Sequence, residues 1–205
     1  MQVVCLDLEG VLVPEIWIEF SQRTGIAEFS RTTREEPDYD KLMRFRIGLL
    51  SQHGLKLADI QQVIGGMAPL TGAKDFLDDL RARYQVIILS DTFYEFADPL
   101  MQQLGRPTLF CHRLLVDGEG FVRDYKLRQP DQKRHAVNAL KSLNFQVMAA
   151  GDSYNDTGML AAADAGFLIH PPEAIAAQFP QFKAHHGYGD LRRSFDDAGE
   201  RLAAD

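Results

Sequence analysis

A repeated design constrains the fold of this chain more than any other feature: a short apolar run, rich in β-branched residues, that ends in an acid or a hydroxyl. Residues 3–8 (VVCLDL) make the first such run, which contains Asp7, is followed by Glu9 and is closed by Gly10. Residues 85–89 (QVIIL) make the second and end in Ser90-Asp91; residues 146–150 (QVMAA) make the third and end in Gly151-Asp152-Ser153. A fourth run, 166–169, ends at His170 and two prolines. Residues 109–116 read as a further strand, and the turn signal Asp117-Gly118-Glu119-Gly120 leads from it towards Phe121-Val122. Runs this short and apolar suit strands buried on both faces. Helical periodicities lie between them. Ala73, Phe76, Leu77 and Leu80 share a face over 73–84, and Ala136, Val137, Leu140 and Leu143 do so over 134–143. Residues 155–163 suit a helix after the third strand, with Asp156 near its acid-tolerant N-terminal end. Strands alternating with helices predict an α/β fold, a Rossmann-like three-layer core with a mostly parallel sheet.

The stretch 15–68 breaks this alternation. Ile16-Trp17-Ile18 and Phe20, then Leu42-Met43, Phe45 and 47–50, then 60–64 form amphipathic helical patterns, punctuated by Gly25, Pro37, Gly54 and Gly65-Gly66. The pattern predicts a small helical cap inserted after the first strand, hinged at Val13-Pro14 and at 67–72. The expected division is a core of 1–14 and 69–205 with a cap of 15–68. A chain of 205 residues accommodates one core domain and a modest insertion.

In a parallel α/β sheet, ligands bind beyond the carboxyl ends of the strands. Three of the runs bring polar groups to that rim: Asp7 with Glu9, Ser90 with Asp91, and Asp152 with Asn155 and Asp156. Together they concentrate negative charge where a cation is needed, and a compact set of oxygen ligands suits Mg²⁺. Burying Asp7 and Glu9 as unpaired core acids would be very costly. Ser90 taken alone also suits a helix N-cap, and Asp152 and Asp156 flank a helix start. A net charge of -7 and a pI near 5.3 exclude a protein whose affinity for nucleic acid or anionic membrane rests on phosphate neutralisation. No GxxxxGK[ST] loop is present to cradle a nucleotide polyphosphate. Cys5 and Cys111 sit in apolar runs and read as buried free thiols. The six histidines, including His185-His186, lack zinc spacing and read as surface or packing residues. With no signal-like start and no apolar run of about 18 residues, the expected location is cytoplasmic.

These residues also carry a resemblance. Asp7-Leu8-Glu9-Gly10-Val11 resembles the first motif of the haloacid-dehalogenase superfamily, and Ser90 after QVIIL its second. Lys133 resembles its third, and Gly151-Asp152-Ser153-Tyr154-Asn155-Asp156 its fourth, in matching order over nearly the whole chain. The resemblance implies that Asp7 is a nucleophile forming an aspartyl-phosphate. It implies Mg²⁺ on Asp7, Asp152 and the main-chain carbonyl of Glu9, supported by Asp156. Ser90 and Lys133 would hold the transferred phosphoryl group, with Asp91 and Asn155 in the same binding set; alone, Lys133 in its charged loop reads as solvated. Glu9 would be the general acid and base. It departs from the usual aspartate by one methylene, which bears on whether the acceptor is water or a bound alcohol.

Glu15 and Arg46, the latter within DYDKLMRFRIGLL, resemble the cap of phosphoserine phosphatases, where such residues hold the amino and carboxylate ends of phosphoserine. Arg46 suits a carboxylate because its planar fork pairs bidentately, and Arg44 is the neighbouring alternative. Glu15 beside Pro14 also suits a helix N-terminus by charge. DLEGVLVPE and ILSDTFYEF together are most similar to the subgroup also described as phosphoserine:homoserine phosphotransferases, with Asp91, Thr92 and Phe93 replacing a glycine-rich segment. Phosphoserine and homoserine are therefore the implied small-molecule partners, and a homodimer the implied assembly. Another small phosphate monoester is an alternative substrate. A receiver-like regulator phosphorylated on Asp7 is a rival that Glu9, the GDSYND motif and a cap fit poorly.

Overall fold

The computed structural model describes residues 1–32, 35–36 and 38–204; Pro37 lies outside them. The opening run forms β1 (Gln2–Leu6), and its uninterrupted apolar sequence is explained by its place at the centre of the sheet. β1 pairs in parallel with β2 (Gln85–Phe93) on one side and β5 (Gln146–Gly151) on the other. From β2 the chain builds outward through β3 (Thr108–Val116) and the antiparallel β4 (Val122–Lys126). From β5 it builds the other way through β6 (Ala165–Ile169) and β7 (Lys183–His185). Among the described residues the order is β4-β3-β2-β1-β5-β6-β7. The direction of building reverses between β1 and β5, so the switch point of the sheet lies at the carboxyl ends of the strands that lead to Asp7 and Asp152.

The insertion carries α1 (Ile16–Thr24), α2 (Tyr39–Gln52) and α3 (Leu57–Gly65), and helices cover the sheet: α4 (Ala73–Arg81), α5 (Tyr94–Gln103), α6 (Gln132–Ser142), α7 (Thr157–Ala162), α8 (Glu173–Gln178) and α9 (Tyr188–Ala204). The patterned helices are present with moved ends. The expected helix over 73–84 stops at Arg81, and the one over 134–143 starts at Gln132, so Lys133 lies in a first helical turn and not in a loop. The expected helix over 155–163 is divided. Residues Tyr154–Asp156 form a 3₁₀ turn before α7, because Asp156 folds its carboxylate back onto the backbone N–H groups of Asp152 and Ser153. β2 continues past Leu89 through a register shift, leaving Ser90 and Asp91 in extended backbone.

Between β1 and α4 lie α1 (Ile16–Thr24), a 3₁₀ turn (Ala27–Ser30), α2 (Tyr39–Gln52) and α3 (Leu57–Gly65). Their apolar faces do not form a separate core. Trp17 stacks on Phe29 with centroids 5.6 Å apart and meets Phe96 of α5 edge-on at 5.0 Å. Phe20, Met43 and Ile64 thus join the same buried cluster as Leu6, Phe93 and Leu100. The β3–β4 hairpin reaches the insertion as well: Leu57 N–H donates to Gly120 O at 2.9 Å, and Tyr125 O–H donates to Asp40 Oδ1 at 2.6 Å. Cys5 and Cys111 are buried free thiols. Among the described residues no helix is long and apolar enough to cross a membrane.

Candidate active site

Asp7 leaves the end of β1 with its backbone still paired, N–H to Ala150 O at 3.0 Å, and the residue is 5% exposed. Its Oδ1 accepts from Leu8 N–H at 2.7 Å. Two glycines make room for the acids around it. Gly10 has φ +74°, and a Cβ there would overlap the Asp152 carboxylate; a Cβ on Gly151 would overlap that of Asp156. Asp156 is fully buried. Its Oδ2 accepts from the N–H groups of Asp152 at 3.0 Å and Ser153 at 3.1 Å.

Lys133 binds this group together. Its buried Nζ lies 2.7 Å from Asp156 Oδ1, 2.9 Å from Asp7 Oδ1 and 3.9 Å from Asp91 Oδ2. Burial alone would favour neutral lysine, but the surrounding carboxylates of Asp156, Asp7 and Asp91 outweigh it and hold the ammonium well above its ordinary pKa. Asp7, Asp152 and Asp156 each offer an oxygen within 4.8 Å of the others. Against one ammonium, three carboxylates leave an excess of two negative charges. Burial, followed by the charge of Asp156, accordingly drives Asp7 well above the usual carboxylate range and Asp152 up to about 7.

That excess fits a divalent cation. The donors are all oxygens, they lie within 4.8 Å of one another, and a compact oxygen set with room for water is what Mg²⁺ takes. Gly10 keeps clear the space beside Asp152 that a side chain would fill.

Ser90, 2% exposed, stands on the neighbouring strand. Its carbonyl accepts from Gln132 Nε2 at 2.5 Å, and its Oγ accepts from Thr92 N–H at 3.3 Å. It caps no helix, since Phe93 holds the N-cap position of α5; the register shift in β2 places Ser90 three residues too early. Asp91 is surrounded by donors: Asn155 Nδ2 at 3.1 Å, Gln132 Nε2 at 3.4 Å and His112 Nε2 at 3.6 Å. Burial opposes its charge, yet Lys133, His112 and Asn155 hold it well below the usual carboxylate range. His112 Nδ1 accepts from Arg128 N–H at 3.0 Å, which leaves the ring proton on Nε2, towards Asp91.

A second group gathers where the insertion meets the rim. Glu9 Oε2 accepts from Ile16 N–H at 2.9 Å, in the first turn of α1. Burial, and then the charge of Glu15, push Glu9 up to about 8. Glu15 is itself exposed at the N-cap position of α1 and makes no side-chain cap bond. Arg46 is 7% exposed. Its guanidinium lies 4.6 Å over the Trp17 ring and donates through Nη2 to Arg31 O at 2.7 Å. Its Nε is buried with no hydrogen-bond partner among the described residues. Burial lowers Arg46 to about 10, against the raising effect of Glu9, Tyr39 and Glu15. Arg44 points elsewhere, pairing with Asp40 at 3.0 Å and Asp124 at 3.6 Å in an exposed cluster.

The structure thus gathers Asp7, Lys133, Asp152 and Asp156 in direct contact range, borders them with Ser90, Asp91 and Asn155, and sets Glu9, Glu15 and Arg46 within electrostatic reach of one another. Sequence reasoning missed Tyr39, Gln132 and His112. Gln132 had a signal in its neighbour Lys133, and Tyr39 in lying seven residues before Arg46, two helical turns along one face. His112 had none.

A family model for haloacid dehalogenase-like hydrolases matches residues 1–164. The chain is 59% identical over 201 residues to the phosphoserine phosphatase ThrH of Pseudomonas aeruginosa, covering 98% of each. It is 57% identical to a phosphoserine phosphatase of Pseudomonas syringae pv. tomato, covering 98% of this chain and 85% of that one. Among solved structures, a substrate-bound phosphoserine phosphatase complex superposes with a TM-score of 0.75 at 18% identity, over 95% of this chain and 97% of the other. The latter likeness speaks for the fold; the family match and the two close relatives speak for descent. On both the sequence and the strand-end geometry, this chain belongs to the haloacid dehalogenase-like hydrolases.

Proposed function

We propose that the chain is a Mg²⁺-dependent phosphoserine phosphatase that works through an aspartyl-phosphate on Asp7 and also transfers the phosphoryl group to homoserine. The observation that carries this reading is Asp7 at the switch point of the sheet, its Oδ1 held by Lys133 and Leu8 and its Oδ2 left to attack. The relatives named as phosphoserine phosphatases at 59% and 57% identity support the substrate.

In this reading the helices within 15–68 are a cap over a core of 1–14 and 69–205. Arg46 takes the substrate carboxylate, since its buried Nε lacks a partner among the described residues and its planar fork suits two oxygens. Glu15 takes the amino group. Ser90 and Lys133 receive the phosphate, and Lys133 screens its charge from Asp7 as the two approach. Asn155 and Asp91 border the same pocket. Asp7 attacks phosphorus in line; the P–O bond to serine breaks, and the serine alkoxide takes its proton from Glu9. Glu9 then removes the proton of water or of the homoserine hydroxyl, whose oxygen displaces Asp7 from phosphorus. Asp7, Asp152 and the main-chain carbonyl of Glu9, supported by Asp156, would hold the Mg²⁺, which supplies positive charge to the phosphate oxygens. A small-metabolite reaction of this kind suits a cytoplasmic enzyme.

The test incubates the purified chain with Mg²⁺ and phosphoserine, with and without homoserine, and quantifies inorganic phosphate and phosphohomoserine. Many phosphates released per chain are expected without homoserine, and phosphohomoserine with it. Serine release that stops at one per chain, with the phosphoryl group retained on Asp7 and no inorganic phosphate set free, would instead indicate the receiver-like regulator.

A further inference from the structure

Tyr39 is the first residue of α2, and its hydroxyl donates to the main-chain carbonyl of Asp91 at 3.1 Å. That carbonyl lies next to Ser90 in the segment where β2 changes register, so the bond joins the helix that carries Arg46 to the backbone bordering the phosphate site. Seven residues separate Tyr39 from Arg46, two turns of one helical face, which puts both on the side of α2 turned towards Glu9 and Asp91. The electrostatics agree. Tyr39 feels the charges of Asp91, Arg46 and Glu9, and Arg46 in turn feels those of Glu9 and Tyr39.

Among the described residues Arg46 makes no hydrogen bond or ion pair to the core. Its guanidinium is fixed inside the insertion, by Trp17 of α1 and by the carbonyl of Arg31. The distance from Arg46 to Lys133 and Ser90 therefore depends on where α2 sits against the sheet. Apolar packing fixes that only loosely in direction, because it is non-directional. A hydrogen bond from a stiff aromatic arm is directional. The ring of Tyr39 is steadied in turn by Tyr125 of β4, edge-on at 5.9 Å, and the Tyr125 hydroxyl bonds the next residue, Asp40.

We infer that Tyr39 is a positioning residue for substrate selection: its hydroxyl, anchored on the Asp91 carbonyl, sets the span between the Arg46 guanidinium and the phosphate site to the length of a phosphorylated amino acid. The inference rests on the proposed phosphoserine phosphatase reading and deepens it. A phosphate ester with no carboxylate does not use that span, so losing the hydroxyl acts on the choice between substrates.

Tyr39→Phe keeps the ring and removes only the bond. The quantity to measure is the ratio of kcat/KM for phosphoserine to kcat/KM for 4-nitrophenyl phosphate, in the wild-type chain, Tyr39→Phe, Arg46→Ala and the double variant, all with Mg²⁺. The single variant is expected to lower this ratio about three- to tenfold, the size of one neutral hydrogen bond, mainly through KM for phosphoserine. In the Arg46→Ala background the same change is expected to move the ratio by less than about twofold, because the group it positions is gone. Equal loss on both substrates, an unchanged ratio, or the same ratio loss with and without Arg46 each overturns the inference. A wild-type chain that does not hydrolyse phosphoserine while hydrolysing the aryl phosphate overturns the underlying reading instead. Circular dichroism melting of the four chains separates a folding defect, since a merely structural Tyr39 would lower the midpoint without changing the ratio, and that result too counts against the inference.

Discussion

At the rim of the sheet two of the central acids are held by backbone close to them in sequence: Asp7 by Leu8 N–H, Asp156 by the N–H groups of Asp152 and Ser153. In the helical insertion the reverse holds. Arg46 is fixed by Trp17 and Arg31, and α2 is tied to the core through Tyr39 to Asp91 and Tyr125 to Asp40. The rim is a preorganised cluster of charges whose geometry follows from strand ends, tight turns and glycines. The insertion is an arrangement of long side chains whose geometry follows from tertiary contacts. The division suits two tasks. Phosphoryl chemistry needs charges that do not reorganise, whereas choosing a substrate needs a surface that alters without disturbing the chemistry.

The contrast predicts that damage at the rim falls on all substrates and on stability, and damage in the insertion falls on selection. The largest effect is expected from Asp7→Asn. Without the nucleophile, turnover of phosphoserine and of an aryl phosphate should both fall at least about 10³-fold. Folding should not suffer in the metal-free chain. Asp7 has its pKa raised in the folded state by burial and by Asp156, so its ionised form opposes folding at neutral pH, and a neutral amide relieves that opposition. Steady-state kinetics and urea unfolding check the two halves. Retained turnover would remove Asp7 from the chemistry, and a large loss of stability would mean its charge is needed for the fold.

Lys133→Met comes next and breaks both properties together. Nζ is the cation common to Asp7 and Asp156, each within 2.9 Å of it. Removing it leaves buried carboxylates with no counter-charge, which costs about 3–5 kcal/mol. The metal-free variant should unfold at clearly lower urea than the wild type, and activity on both substrates should drop together. Unchanged urea midpoints would show that the acids are neutral in the wild-type chain and that the rim is not a charge cluster.

How legible each half was in the sequence follows the same division. The runs 3–8, 85–89 and 146–150 announced strands whose ends carry acids, because an apolar run, an acid and a glycine are neighbours in the chain. Gly10 and Gly151 are where they must be for Asp152 and Asp156 to fit. Lys133 read alone as a solvated lysine, since nothing near it in sequence tells that its partners lie 126 and 23 residues away. Ser90 looked equally like an N-cap until the register shift in β2 moved the helix start to Tyr94. The long amphipathic α9 and the three-residue β7 were not anticipated, the latter because three residues carry no periodicity. Tyr39 and His112 escaped for a different reason. Their roles come from a hydroxyl and a ring nitrogen meeting groups on other elements; the spacing of Tyr39 from Arg46 tells that they share a helical face but not that the hydroxyl meets the Asp91 carbonyl, and His112 has no local pattern at all.

Two arginines two residues apart give the finest test of the comparison. Arg44 and Arg46 share a helix but, at that spacing, not a face. Arg46 is buried over Trp17 with an Nε that has no partner among the described residues, whereas Arg44 is exposed and already engaged by Asp40 and Asp124. Replacing Arg46 by alanine should therefore lower kcat/KM for phosphoserine about 10- to 100-fold, the scale of a hydrogen-bonded charge, and that for an aryl phosphate much less. Replacing Arg44 by alanine should leave the ratio between the two substrates within about twofold, because a screened surface pair adds little and faces away from the site. The two variants, assayed side by side on both substrates, distinguish a directed guanidinium from mere positive charge on α2. If they shift the ratio alike, long-range attraction for the anion explains selection, and the buried position of Arg46 has no special part in it.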